Sequence, residues 1–185
     1  AGESEHAWDG YFTTADLPGL RDPRQGWVAS ANNPPAEPTS GRPLYGAYAD
    51  GYRYRRIRES LSTGEKLTPP AVAALQQDNL SRRALDLKGV VGKRLAATGD
   101  ARLARAAEFL GRWNARYDPD QVGATLWAAL WPRWTRRVGE AVLPTFVADL
   151  AAPLAARLAR RLLLGDTPSF YRRDVGAELA SAMRD

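Results

Sequence analysis

Two asparagines, Asn32 and Asn33, stand between a strand-like run and two prolines in "GWVASANNPP", and a dense group of arginines, Arg53, Arg55, Arg56 and Arg58, follows in "GYRYRRIRES". A carboxamide offers N–H donors without a charge that could titrate or repel. A guanidinium carries a permanent positive charge in a rigid fork of donors. Each group also has a plain structural reading. Asparagine tolerates left-handed backbone and caps turns, and proline cannot continue a ladder, so the stretch can simply end a strand. The arginines can be the solvated face of an amphipathic helix, paired with acids such as Glu59 or Asp78.

Other chemistries are narrowed by what the chain lacks. It has no cysteine, which excludes disulfides, thiolate nucleophiles and zinc sites built on cysteine ligands. A single histidine, His6, provides neither a histidine-rich metal cluster nor a Ser-His-Asp triad. No run of about 18 uncharged apolar residues is present, and "AGESEHAWDG" lacks the basic start and apolar middle of a signal peptide. The net charge of +5 raises the question of nucleic acid, but the arginines are interleaved with acids and no nucleic-acid-binding motif occurs. With 44% apolar and 25% charged residues over 185 positions, the composition is that of a soluble globular chain long enough to bury a core.

These groups must be positioned by elements that change character near residue 50. Before it, proline and glycine recur at short intervals, so the pattern reads as loops around one or two strands, the clearest being Gly26 to Ala31. After it, nearly everything reads as helix. Asp50 is placed to cap a helix reaching about Ser62 and ended by Gly64, with Tyr52, Ile57 and Leu61 on its buried side. Thr68 and Pro69 start the next helix, whose stripe of Val72, Leu75, Leu80, Leu87 and Val91 runs on until Gly99. Asp100 begins a third, with Leu103, Ala106, Ala107 and Leu110 at helical spacing. In "ATLWAALWPRWTRRVGEAV", Trp127, Trp131 and Trp134 share one face, an aromatic stripe that reads as core, and Pro132 predicts a kink or a restart. "PTFVADLAAPLAARLARRLLLGD" sets Leu150, Leu154, Leu158 and Leu162 opposite arginines and ends at Gly165; a last short helix follows "TPSFY".

Several of these pieces occur together in an order that resembles the central part of the β chain of the penicillin amidase family, which includes penicillin and acyl-homoserine lactone acylases. The resemblance is carried by Leu17-Pro18, Asp22-Pro23, Gly26 ahead of the asparagine pair, Gly51-x-Arg53 followed by Arg56-Ile57, Gln76-x-Asp78, and Trp113, spread over about the first 135 residues. It implies an α+β fold, mostly α in this chain. Short strands in residues 8–33 would belong to the αββα sandwich of an N-terminal nucleophile hydrolase, so that residues 1–50 form a strand and loop segment of the hydrolase core and residues 51–185 a helical region of the same β chain.

The resemblance also implies chemistry. In such hydrolases a precursor cuts itself and the freed N-terminal serine uses its own α-amino group as base. Matching the strand-Asn-Asn pattern puts the oxyanion-hole donor at Asn32, with Asn33 holding the turn, and Arg53 matches an arginine close to the active site. No serine occupies the first position, which is Ala1. The nucleophile is therefore expected on another segment of the precursor, and the partners are the α chain, the nucleophile-bearing β segment and a small N-acyl substrate, with no nucleic acid and no membrane span. The implied setting is the bacterial periplasm or exterior. No cofactor is evident; calcium is possible in the parent enzyme, yet the loop "PPAEPTSGRPLYG" shows no clear calcium-ligating aspartate, and Glu37 is a poor substitute. Asn114 stands where the family often has aspartate after the tryptophan. Outside the resemblance, a basic helical module binding phosphates and a plain helical interaction domain are the alternatives.

Overall fold

In a computed structural model the described residues are 10–35, 46, 48–144, 147 and 152–185, with side chains described from Ala155 in the last segment. His6, Glu37, Leu150 and the side chain of Leu154 lie outside them. Seven helices are defined among the described residues: α1 (Tyr52–Leu61), α2 (Pro69–Gln76), α3 (Arg82–Ala96), α4 (Ala101–Arg112), α5 (Val122–Val142), α6 (Ala152–Leu163) and α7 (Val175–Arg184).

Local chemistry explains most of the helix starts. The Thr68 hydroxyl accepts from Ala71 N, with Pro69 and Pro70 in the first turn. The Asp100 carboxylate accepts from Arg102 N at 2.9 Å, and Asp174 accepts from Ala177 N at 2.6 Å. Two expectations are corrected here. Asp50 is not the cap of α1: Gly51 holds that position at φ 77°, while Asp50 forms an ion pair with Arg83 of α3. The long helix expected from Pro69 to Gly99 is two helices. It breaks because Ser81 caps α3 through Ala84 N, and because Leu80 forms an isolated antiparallel bridge with Arg116, with Ser81 N bonded to Ala115 O and Tyr117 N to Asn79 O. Val72 consequently lies on an exposed surface instead of a buried stripe. Pro132 does not end or restart α5, which runs through it over all 21 residues from Val122 to Val142.

The core lies among α3, α4, α5, α6 and α7. Leu87, Val91 and Leu95 of α3 meet Leu103 and Leu110 of α4, with Trp127, Leu130, Trp134 and Val138 of α5 and Leu162 and Leu179 beyond them, all nearly fully buried. Burying one such side chain contributes roughly 1.5–3 kcal/mol. The tryptophan stripe is core, as its spacing predicts: Trp127 and Trp134 are buried, and Trp131 stacks on Trp127 with ring centroids 5.7 Å apart and an interplanar angle of 13°. Trp113 also goes inside. Its indole Nε1 donates to Arg116 O at 2.6 Å, and its ring meets Gly123 of α5 closely enough that a Cβ there would sit 2.4 Å from Trp113 Cβ.

The segment before α1 differs from the rest. Among the described residues no strand is formed, and Gly26 to Ala31 has no regular secondary structure. A strand needs a partner to bond with, and these residues find none among the described residues; the helical part of the expected fold is what the described residues display. Tyr11, Leu20 and Val28 are largely exposed, whereas Ala31 is buried at 8%. That alanine is where the segment joins the helices.

Candidate active site

The asparagine pair follows Ala31 directly, and the two residues do different work. Asn33 shapes the turn: its Oδ1 accepts from Ala31 N at 3.0 Å and its Nδ2 donates to Pro34 O at 3.0 Å. Asn32 takes a left-handed backbone, φ 57°, a conformation in which asparagine is several-fold enriched. Its carbonyl accepts from Ala49 N at 2.6 Å, tying the stretch to the residues just ahead of α1. The Asn32 side chain is not folded back on the local backbone. Arg53, from the first turn of α1, donates through Nη2 to Asn32 Oδ1 at 2.5 Å and to Ala31 O at 3.1 Å.

That contact sets which way the carboxamide faces. A guanidinium only donates, so the oxygen of Asn32 must lie toward Arg53 and the Nδ2 amide toward the other side. Among the described residues Nδ2 has no hydrogen-bond partner, and Asn32 is exposed. Both residues singled out from the sequence are thus in direct contact across a separation of 21 positions.

Two clefts adjoin them. The first, about 600 Å³, is lined by Tyr48, Arg53, Arg56, Ile57, Leu75 and Leu80 among others. The second, about 510 Å³, is lined by Pro34, Tyr52 and Trp131 together with the arginines of α6. Asn32 lines neither cleft; Arg53 lines the first.

The helix that carries Arg53 is fixed by ion pairs at its next residues. Arg56 Nε donates to Asp78 Oδ2 at 2.5 Å, and Asp78 Oδ1 accepts from Arg116 Nη1 at 3.4 Å. Asp78 is only 11% exposed, and its hydrogen bond with the Arg56 guanidinium holds its carboxyl below the usual carboxylate range. Arg55 pairs with Asp86, and Arg82 with Glu59 and Asp86. Arg55 and Arg56 are therefore neutralised by acids, which removes them from any free phosphate-binding patch. No group of three or more histidine, cysteine or acidic side chains among the described residues could hold a metal ion.

Sequence reasoning overlooked the second cleft. The only signal was the arginine face of α6, opposite its leucines, which reads equally as a solvated surface. It also missed Arg83, whose guanidinium lies over the rings of Tyr52, at 5.4 Å, and Trp131, at 4.8 Å, while its Nη2 bonds Asp50.

No helix among the described residues is long and apolar enough to cross a membrane. No curated protein matches the chain. The penicillin amidase family model matches residues 1–184, so nearly every residue falls within it. The ordered motifs, the helical architecture and the Asn32–Arg53 contact all lie inside that span, and the chain belongs to the penicillin amidase family, whose members are amide-cleaving acylases.

Proposed function

We propose that the chain is part of an acylase that hydrolyses an N-acyl amide bond, with Asn32 as an oxyanion donor and Arg53 as the group that orients it. The observation that carries this reading is the Arg53–Asn32 hydrogen bond, which leaves Nδ2 of Asn32 free to donate. The nucleophile is an N-terminal serine on a different segment of the precursor, and its α-amino group removes the hydroxyl proton. Attack on the acyl carbon forms the C–O bond and moves the carbonyl electrons onto oxygen. That oxyanion meets the Asn32 amide. Because Oδ1 donates density toward the Arg53 guanidinium, the amide N–H is polarised further in the direction of the substrate.

Collapse of the tetrahedral intermediate expels the amine, which takes the proton, and water then releases the acid from the acyl-serine. The left-handed backbone at Asn32, tied to Ala49 N, fixes where the side chain departs, and the Arg53 bond to Oδ1 keeps the carboxamide from rotating away. A donor of this kind is worth roughly 3–4 kcal/mol of barrier. In this reading residues 1–50 contribute the oxyanion donor to the hydrolase core, residues 51–185 brace it, and the αββα sandwich needs the remaining segments. The α chain and the serine-bearing segment are the partners, and the periplasm or the exterior is the setting. Any calcium ion is held elsewhere in the parent enzyme.

The test is to express the complete precursor and follow chain cleavage ahead of a serine, then acid release from N-acyl substrates. Asn32→Ala is expected to lower kcat by about 10²–10³-fold with the fold intact. Unchanged turnover in that variant would remove Asn32 from the oxyanion hole.

A further inference from the structure

The second cleft carries more positive charge than the carboxylates among the described residues offset. Four arginines reach it, and two are already satisfied: Arg55 by Asp86 and Arg161 by Asp166 at 2.6 Å. The acid on its wall, Asp50, is taken by Arg83. Arg157 and Arg160 have no carboxylate partner among the described residues. Among the described residues Arg157 Nη2 donates to Tyr48 O at 3.4 Å, and Arg160 donates through Nε to the Tyr52 hydroxyl at 2.9 Å.

Each of those contacts uses a single nitrogen of its guanidinium. Among the described residues neither terminal nitrogen of Arg160 has a hydrogen-bond partner, because its bond to Tyr52 uses Nε alone. The Tyr52 oxygen accepts that bond and so keeps its own O–H to donate. Arg157 stands one turn earlier on α6 and lines the same cleft. The lining also includes the apolar side chains of Pro34, Ala49 and Trp131. A cleft with two such guanidiniums, one hydroxyl donor and apolar side chains in its lining suits an organic anion with a planar head and a hydrocarbon body. Guanidinium forks match a carboxylate in a bidentate way, which a solvated cation would not.

Its position makes it relevant to the reaction. Pro34 follows the asparagine pair, Ala49 N holds the Asn32 carbonyl, and Tyr52 immediately precedes Arg53. We infer that this cleft binds a carboxylate carried by the N-acyl substrate, on its acyl or its amine half, and that Arg157, Arg160 and Tyr52 set the preference for it. The inference rests on the acylase reading, since it supplies the substrate to which the carboxylate belongs.

The experiment uses enzyme matured from the complete precursor. Calorimetric titration compares an N-acyl amino acid with its carboxamide twin, and an acyl chain ending in a carboxylate with its neutral twin. The carboxylate of at least one pair should bind more tightly, by about tenfold for each guanidinium engaged. Arg157→Gln and Arg160→Gln should each reduce that preference about tenfold, and Tyr52→Phe by less. The pair that shows the preference identifies the half of the substrate that carries the charge. Equal binding within both pairs, or a preference that survives the double variant Arg157→Gln/Arg160→Gln, overturns the inference. Binding does not require turnover, so carboxylate preference in a protein that cleaves no N-acyl bond would refute the acylase reading and leave the anion cleft standing. Turnover with no such preference would do the reverse.

Discussion

Arg56 Nε and Asp78 Oδ2 meet at 2.5 Å, joining the middle of α1 to the break between α2 and α3. Arg53 lies three residues before Arg56, on the same face one turn earlier. Whatever holds Arg56 therefore holds the guanidinium that contacts Asn32. Asp78 also accepts from Arg116 Nη1 at 3.4 Å, so a single carboxylate ties α1 to the linker that follows α4.

Removing that carboxylate's charge gives the first prediction. Asp78→Asn leaves Arg56 and Arg116 facing a neutral amide and should destabilise the fold by about 1–3 kcal/mol, the range for hydrogen bonds to charged groups. Its pH dependence has a definite sign. Asp78 titrates below its ordinary value of 3.8 in the folded chain. Its contribution is therefore complete above that value and is lost as pH falls through the lowered one. The difference in Tm between wild type and Asp78→Asn should be constant from about pH 5 to neutrality and shrink below about pH 4. A difference that grows on acidification would contradict the pairing.

A second prediction separates orientation from direct electrostatics at Arg53. If Arg53 acts through the Asn32 carboxamide, Arg53→Ala and Asn32→Ala should not add: the double variant should lose little more kcat than Asn32→Ala alone. Arg53→Lys keeps the charge but places one ammonium where Nη2 now reaches both Ala31 O and Asn32 Oδ1. It should recover only part of the loss. Full additivity in the cycle would assign Arg53 an independent role toward the substrate.

The helix starts at Thr68 and Asp100 were readable because the capping group and the N–H it satisfies lie within three residues of each other. The tryptophan stripe of α5 was readable for the same reason, since one helix sets its phase. The break after Gln76 was not. It depends on Leu80 finding Arg116 and on Asp78 finding Arg56, contacts across 36 and 22 positions that no local pattern encodes. Asn32 and Arg53 could each be named from the resemblance, but their contact is a tertiary fact. The strand expected over Gly26 to Ala31 failed differently: a ladder needs a second strand, and none is supplied among the described residues.

Two glycines in helices give a third prediction with opposite signs. A Cβ at Gly123 would lie 2.4 Å from Trp113 Cβ, 2.7 Å from its Cγ and 3.0 Å from Phe109 O, so Gly123→Ala must push α5 away from the end of α4. Overpacking of this kind costs typically 1–3 kcal/mol. Gly89, in the middle of α3, has nothing within 4 Å of such a Cβ. Gly89→Ala should stabilise by about 0.5–1 kcal/mol through helix propensity alone. Urea midpoints of the two variants, moving in opposite directions with unchanged slopes, are the expected result.

The last prediction concerns Lys88, whose Nζ donates to the carbonyls of Leu110, Gly111 and Trp113, three acceptors at the end of α4. A helix leaves its final carbonyls without internal partners, and a cation there also complements the helix dipole. Burial pushes the Lys88 amine below its ordinary value, yet the three carbonyls compensate its lost hydration. Lys88→Met keeps the aliphatic stem and removes all three donors, so the carbonyls lose their partner while the packing of α3 on α4 survives. The expected cost is about 2–3 kcal/mol, against less than 1 kcal/mol for Lys93→Met, an exposed lysine in the last turn of α3. Hydrogen exchange should localise the difference: amides at the C-terminal turn of α4 and through Trp113–Arg116 should lose protection first in Lys88→Met, ahead of global unfolding. If the two lysine variants lose equal stability, the three-carbonyl cap contributes nothing beyond a surface charge.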